Sequence, residues 1–272
     1  MSQPSHPDHN ILRVLVTVKA YPNPSKNLIE ASCVAGMTED KKLVRLYPVP
    51  FRFLDDSQRF EKYQWIEVPV QRRRTDTRPE SFRPEFGKLK VLPGTLSTKS
   101  GWWERWQWIW PARAVSLCGI QRAQAIDGTS LGFFKPQEVI DFDWERDDEE
   151  AWTPGQLTSL QRKDLFLTRK GKLLEKIPFT FRYRFRCAEC EQGKSHHMKI
   201  VDWELMQQFR KFRRETATEA ECLAKLRENW FGNLCGPNKE THFFVGNMLA
   251  HPNSFLVLGV YWPTRRKTGL LL

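Results

Sequence analysis

Residues 179–186 read FTFRYRFR, and this stretch restricts the fold more tightly than any other. Large aromatic residues alternate strictly with Thr and Arg, the two-residue period of a strand with one buried face. Phe179, Phe181, Tyr183 and Phe185 fall on one face and Thr180, Arg182, Arg184 and Arg186 on the other. The strand runs directly into Cys187-x-x-Cys190. After a bend supplied by Gly193, His196 and His197 open a second strand-like run to Val201.

Two thiols on a tight knuckle are pre-placed for tetrahedral Zn²⁺, which favours sulfur and imidazole ligands. Adjacent histidines on a strand point to opposite faces, so only one ligates, and His196 is preferred to His197. The fourth ligand comes from elsewhere. Cys235, in Asn-Leu-Cys-Gly-Pro, is the candidate, because the Gly-Pro that follows holds its thiol at a turn. The expected centre is a structural Zn²⁺ on Cys187, Cys190, His196 and Cys235. The competing reading is an ordinary hairpin with exposed thiols and solvated histidines.

Charge sets the expected partner. Among 272 residues, 43 Lys and Arg outweigh 32 Asp and Glu, a net +11. Clustered cations are rewarded by phosphate neutralisation with counterion release, so a polyanion is expected, DNA before RNA. Eleven Trp residues suit base stacking and cation–π contact as well as a core. Six irregularly spaced cysteines and no apolar N-terminal run predict a reduced, cytoplasmic protein. No run approaches the ~20 apolar residues that a membrane-spanning helix needs.

Taken in order, residues 1–9 are polar and Pro-broken, a disordered start. Strands are expected at 11–19, 28–37, 43–49 and 65–70, with a polar turn at 38–41 and helix-like spacing over 51–63. Residues 71–90 form an Arg-rich loop. Arg72, Arg73, Arg74, Arg78 and Arg83 either follow a phosphate backbone or pair with Glu80 and Glu85. Residues 101–110 (GWWERWQWIW) predict a helix whose Trp102, Trp106 and Trp110 form a buried stripe, and 112–125 continue as amphipathic helix. The acidic run from Asp143 to Glu149 reads as a solvated linker at a domain boundary near residue 150. Beyond it, the basic run 160–176 precedes the aromatic strand. Asp202 caps a helix with Leu205, Phe209 and Phe212 on one side and Arg210, Lys211, Arg213 and Arg214 on the other or in its last turn. Thr218 and Glu221 fit a capping box. Two strong strands at 241–248 and 254–262 and a basic tail from Arg265 close the chain.

The expected fold is therefore mainly β with helical insertions (α+β). One β domain spans 10–150 with a Trp-rich helical insertion, and a second spans 151–272 with the zinc knuckle. Several runs resemble the dual OB-fold-containing domain family of prokaryotes: Lys19-Ala-Tyr-Pro-Asn-Pro-Ser, Val44-Arg-Leu-Tyr-Pro-Val-Pro-Phe-Arg, Tyr63-Gln-Trp-Ile, Arg78-Pro-Glu-Ser-Phe-Arg-Pro, Cys187-x-x-Cys190, Ile200-Val-Asp-Trp-Glu and His242-Phe-Phe-Val-Gly-Asn. That resemblance implies two OB-like small β-barrels, nucleic-acid binding, and a place in loci directed against phage or plasmids. It carries no catalytic residues.

No P-loop, G-x-G-x-x-G, H-E-x-x-H or nucleophile elbow occurs. The favoured reading is a noncatalytic nucleic-acid-binding module of a defence system, gripping phosphates through Arg72, Arg73, Arg74, Arg78, Arg83, Arg182, Arg184, Arg186, Arg210, Lys211, Arg213 and Arg214. The alternatives are a nuclease or base-modifying enzyme centred on Asp202, Glu204 and His242, and a protein adaptor within a defence complex.

Overall fold

The computed structural model describes residues 10–25, 28–161 and 173–265. The expected disordered start, most of the basic run 160–176 and all but the first residue of the basic tail lie outside the described residues.

Seven strands build the first part: β1 (Asn10–Lys19), β2 (Asn23–Pro24), β3 (Glu30–Thr38), β4 (Leu43–Val49), β5 (Gln64–Gln71), β6 (Ser81–Pro84) and β7 (Lys90–Thr95). Five of them close on themselves in the order β1-β3-β4-β6-β5, with β5 pairing back to β1, 65–70 onto 10–15. Closure removes the open edges that a small antiparallel sheet otherwise exposes. The barrel interior is aliphatic: Val14, Val16, Val34, Val44, Leu46, Ile66 and Val68 are all buried in one cluster. Each such side chain contributes about 1.5–3 kcal/mol on burial. The apolar-and-charged run 51–63 forms two short 3₁₀ turns, Phe51–Phe53 and Asp56–Gln58, rather than a helix.

The Trp-rich stretch is helical as α1 (Lys99–Ile109), but Ser100, Gly101 and Trp102 adopt positive φ and break its first turn. The expected buried stripe is accordingly split. Trp102 and Trp106 pack toward Tyr261, whereas Trp110 is 45% exposed and the fully buried residue is Ile109. After a 3₁₀ turn at Trp110–Ala112 come β8 (Arg113–Ala114), α2 (Leu117–Asp127), β9 (Leu131–Phe134), β10 (Glu138–Arg146) and α3 (Pro154–Gln161). Then follow β11 (Phe179–Arg186), β12 (His196–Lys199), α4 (Trp203–Glu215), α5 (Glu219–Arg227), β13 (His242–Met248) and β14 (His251–Tyr261). The sheet β10-β11-β12 and the sheet β14-β13-β9-β8 meet at a parallel bridge between Ile200 and Val257. The strands before residue 150 thus pair with strands after residue 179. The expected caps are present: Asp202 accepts from the Glu204 N–H at 2.7 Å, and Thr218 and Glu221 form the capping box of α5.

A buried arginine bolts the barrel to the later strands. Arg45 of β4 donates to Ser81 Oγ (3.2 Å), Ser130 Oγ (2.7 Å), the Ser130 carbonyl (2.8 Å) and the Asn247 carbonyl (3.4 Å). Gly246 makes room for it, since a Cβ there would lie 2.9 Å from the Arg45 guanidinium and 2.8 Å from Leu258. No helix among the described residues is long and apolar enough to cross a membrane.

Candidate metal centre and nucleic-acid surface

Four ligand-type side chains converge at one end of the aromatic strand. Cys187 directly follows β11, Cys190 comes next on the knuckle, His196 opens β12, and Cys118 sits at the second position of α2. Their ligand atoms all lie within 4.8 Å of one another. Cys187 Sγ is 3.5 Å from Cys118 Sγ, 3.4 Å from Cys190 Sγ and 3.4 Å from His196 Nε2. His196 Nε2 is 3.2 Å from Cys190 Sγ and 3.5 Å from Cys118 Sγ. A tetrahedral ion with bonds of about 2.3 Å to sulfur and 2.0–2.1 Å to nitrogen has edges of about 3.5–3.8 Å, close to these separations. This Cys₃His group can hold a metal ion.

The sequence builds the pocket locally. The Cys187 N–H points at Cys190 Sγ (3.2 Å), which fixes the knuckle. Ser116 caps α2 by accepting from the Gly119 N–H at 2.8 Å and also donates to Glu189, whose other oxygen binds Arg122 at 2.6 Å. The positive end of α2 therefore faces the sulfurs and favours thiolate. Burial pushes the Cys187 thiol up, but hydrogen bonds from the backbone and from His196 and Cys190 outweigh it and bring it down to about 6. Burial and the neighbouring sulfur push Cys118 up to about 12. Three thiolates packed this tightly repel one another unless a cation lies between them.

Cys235 is a correction. Its thiol donates to the Trp230 carbonyl at 3.4 Å, and burial pushes it up to about 12. Cys235 follows the π-helical turn Glu228–Asn233 and packs against the aromatic core, and it is not among the side chains whose ligand atoms converge with those of Cys187, Cys190 and His196. The fourth ligand, Cys118, stands 69 residues before Cys187, and its place in an amphipathic segment reads as core. The available signal was Ser116 two residues earlier, an N-cap that puts the thiol in a first helical turn. The second histidine, His197, faces the other way and meets both Asp143 oxygens at 2.9 Å.

The basic residues divide into three groups. On β11, Arg182 meets Glu145 (2.9 Å), Arg184 meets Asp143 (3.9 Å) and Arg186 meets Glu138, because β10, which carries Glu138, Asp143 and Glu145, lies in register beside them. On α4, Arg210 and Arg213 share Glu175 at 2.6 and 3.6 Å, and Lys211 lies 3.9 Å from Glu215. Arg214 is exposed. In the loop after β5, Arg78 is a second correction. It is buried, paired with Asp76 at 2.8 Å, and donates to the Asn247 carbonyl at 2.9 Å, so it braces the loop rather than facing solvent. Arg73, Arg74 and Arg83 are exposed and have no carboxylate partner among the described residues. The Arg72 guanidinium lies over the Phe82 ring, 4.1 Å from its centroid.

The residues considered for catalysis are held structurally. Asp202 and Glu204 both bind Lys62, at 3.0 and 2.9 Å. His242 is buried, stacked on Phe133, with its Nδ1 2.8 Å from the Glu240 carbonyl. A carbonyl only accepts, so Nδ1 carries the hydrogen. Burial pulls His242 down to about 4.

Glu30, whose Oε2 accepts from Arg52 at 2.8 Å while Oε1 has no partner, is pushed by burial up to about 7 from 4.5. Its folded-state pKa is raised, so its share of stability is complete below pH 4.5 and lost as the pH rises through 7. Glu30→Gln should remove that share. Urea unfolding at pH 4.5 and 7.5 is expected to show the wild type gaining about 3 kcal/mol on the variant at the acidic value. A pH-independent difference would mean that the carboxyl is already ionised at pH 4.5.

No curated protein matches the chain. A model described as a domain of unknown function (DUF8758) matches residues 10–111, and a second, the domain of unknown function DUF8757, matches residues 112–271. The two meet at the 3₁₀ turn between α1 and β8. Because the second match covers more than half of the chain, the protein belongs to the DUF8757 family.

Proposed function

We propose that the chain is a noncatalytic DNA-binding module of a prokaryotic defence system, with Zn²⁺ as a structural ion in its Cys₃His centre. The observation that carries the binding claim is Arg72, Arg73 and Arg74 just past β5 together with Arg83 on the paired strand β6, where Arg73, Arg74 and Arg83 are exposed without carboxylate partners among the described residues. Phosphates are the groups such guanidinium clusters engage. The arginines of β11 and most of those on α4 contribute less, because each already neutralises an acid. The resemblance noted above supports the defence setting, and it also supports reading the barrel, and the two later sheets together, as OB-like units. Three sulfurs and one imidazole at tetrahedral spacing suit zinc better than the oxygen-seeking cations.

The test is a salt titration of binding to single- and double-stranded DNA. Log K is expected to fall linearly with log salt, and Arg73→Ala/Arg74→Ala to reduce the slope by about 1.4–1.8, two phosphate contacts. A wild-type affinity indifferent to salt removes the reading.

A further inference from the structure

A cleft of about 650 Å³ opens where the barrel meets the segment after α1. Its volume lies within the ~300–1,000 Å³ typical of small-molecule sites. Leu43, Phe82 and Leu131 contribute apolar walls, and Lys41, Lys42 and Arg72 bring positive charge to it. Three acids also line it, and each is committed. Asp40 pairs with Lys42 at 2.7 Å, Glu80 accepts from the Ser130 N–H at 3.0 Å, and Asp127 accepts from the Thr129 N–H at 2.9 Å. Lys41 and Arg72 are left without a carboxylate among the described residues.

Both cations are positioned by the fold. Arg72 Nη1 donates to the carbonyls of Arg78 (3.4 Å) and Pro79, which hold the guanidinium over the Phe82 ring. The residue is exposed and lines the cleft, so its guanidinium can be reached from solvent. Lys41 has φ 61°, a left-handed position in the β3–β4 turn that glycine or asparagine usually fills. Its ammonium lies 5.6 Å from the Trp108 ring centroid. A strained long cation beside a cleft marks a position where the side chain is used.

We propose that this cleft seats one nucleotide of a bound single strand, its base stacked on the Arg72 guanidinium and its phosphate met by Lys41. This rests on the DNA-binding reading and adds strand selectivity to it. A guanidinium plane stacks on any base, so the site takes no sequence preference from it. A base inside a duplex is covered on both faces and offers none to Arg72, so single strands are selected.

The test uses the full chain and fluorescein-labelled dT12, a duplex of the same length, and an abasic strand of the same length. The wild type is expected to bind dT12 at least tenfold more tightly than the duplex. Arg72→Lys keeps the charge and removes the plane. It should weaken dT12 binding five- to tenfold with the salt slope unchanged, and leave the abasic strand and the duplex unaffected. Lys41→Ala should lower the salt slope on dT12 by about 0.7. If dT12 binds and Arg72→Lys binds it as the wild type does, or weakens the abasic strand equally, the cleft proposal fails and DNA binding stands. If the wild type binds none of the probes, both fail.

Discussion

Cys118→Ser is expected to empty the metal centre, whereas Cys235→Ser is expected to leave it loaded. Elemental analysis of the purified chain should give one zinc per molecule for the wild type and for Cys235→Ser, and close to none for Cys118→Ser. The reason is positional. Cys118 is supplied by α2, and the other three ligands by the β11–β12 hairpin, so an ion held there would be a bond between two elements that otherwise meet through Leu117, Ile120 and the aromatic core. In zinc-finger peptides a structural zinc contributes about 10–16 kcal/mol, because nothing else holds them folded. Here a large packed core is expected to survive metal loss, at a cost on the order of 5 kcal/mol. A chelator should therefore lower the Tm of the wild type and of Cys235→Ser, and leave that of Cys118→Ser unchanged. Zinc retained by Cys118→Ser, or lost from Cys235→Ser, would sink the assignment.

That contrast also shows what a sequence can reveal about this fold. The strands are legible because their signals are local. The alternation over 179–186 gives β11, and the runs at 11–19 and 43–49 give β1 and β4 almost to the residue. The helix starts at Asp202 and Thr218 are legible for the same reason, since a cap acts on the next two or three N–H groups. Cys118 is not local to anything it binds. Only the path of the chain through β9 and β10 brings α2 over the knuckle, and no residue spacing encodes that path. The acidic run from Asp143 misleads in a related way. Read along the chain it is a charged linker, whereas in the sheet its alternate residues stand beside Arg182 and Arg184 and neutralise a face that looks basic in the sequence. The Trp-rich helix differs because Ser100–Trp102 turn left-handed, which a periodicity argument has no means to see.

Lys62→Met is expected to destabilise the chain by about 3–5 kcal/mol, the cost of leaving a buried carboxylate without its cation. Lys62 joins the two parts of the molecule. Its side chain is 8% exposed and lies 3.0 Å from Asp202, which is 1% exposed and caps α4. The end of β1 reaches the same place through the Ala20–Asp202 bridge and the Tyr21 N–H to Val201 carbonyl bond of 2.7 Å. Burial alone would lower the lysine, but the two carboxylates more than offset it and raise its pKa. Burial raises Asp202 to about 6 even with the lysine present. Asp202→Asn keeps a good N-cap and leaves Lys62 with Glu204, so it should cost less than Lys62→Met. The double variant has neither buried charge and should be more stable than Lys62→Met alone, a coupling of at least about 1 kcal/mol by double-mutant cycle. The pH dependence gives an independent check. Without Lys62 the folded-state pKa of Asp202 moves further above its unfolded value of 3.8. Folding then takes up a proton, and the stability this provides is lost as the pH rises. Urea unfolding should therefore find Lys62→Met less impaired at pH 5 than at pH 8, whereas Lys62→Met/Asp202→Asn, which lacks the Asp202 titration that the wild type keeps, should be more impaired relative to the wild type at pH 5 than at pH 8. An equal cost for Lys62→Met at the two pH values, together with a double variant no more stable than Lys62→Met, would mean that Asp202 is not the charge Lys62 compensates.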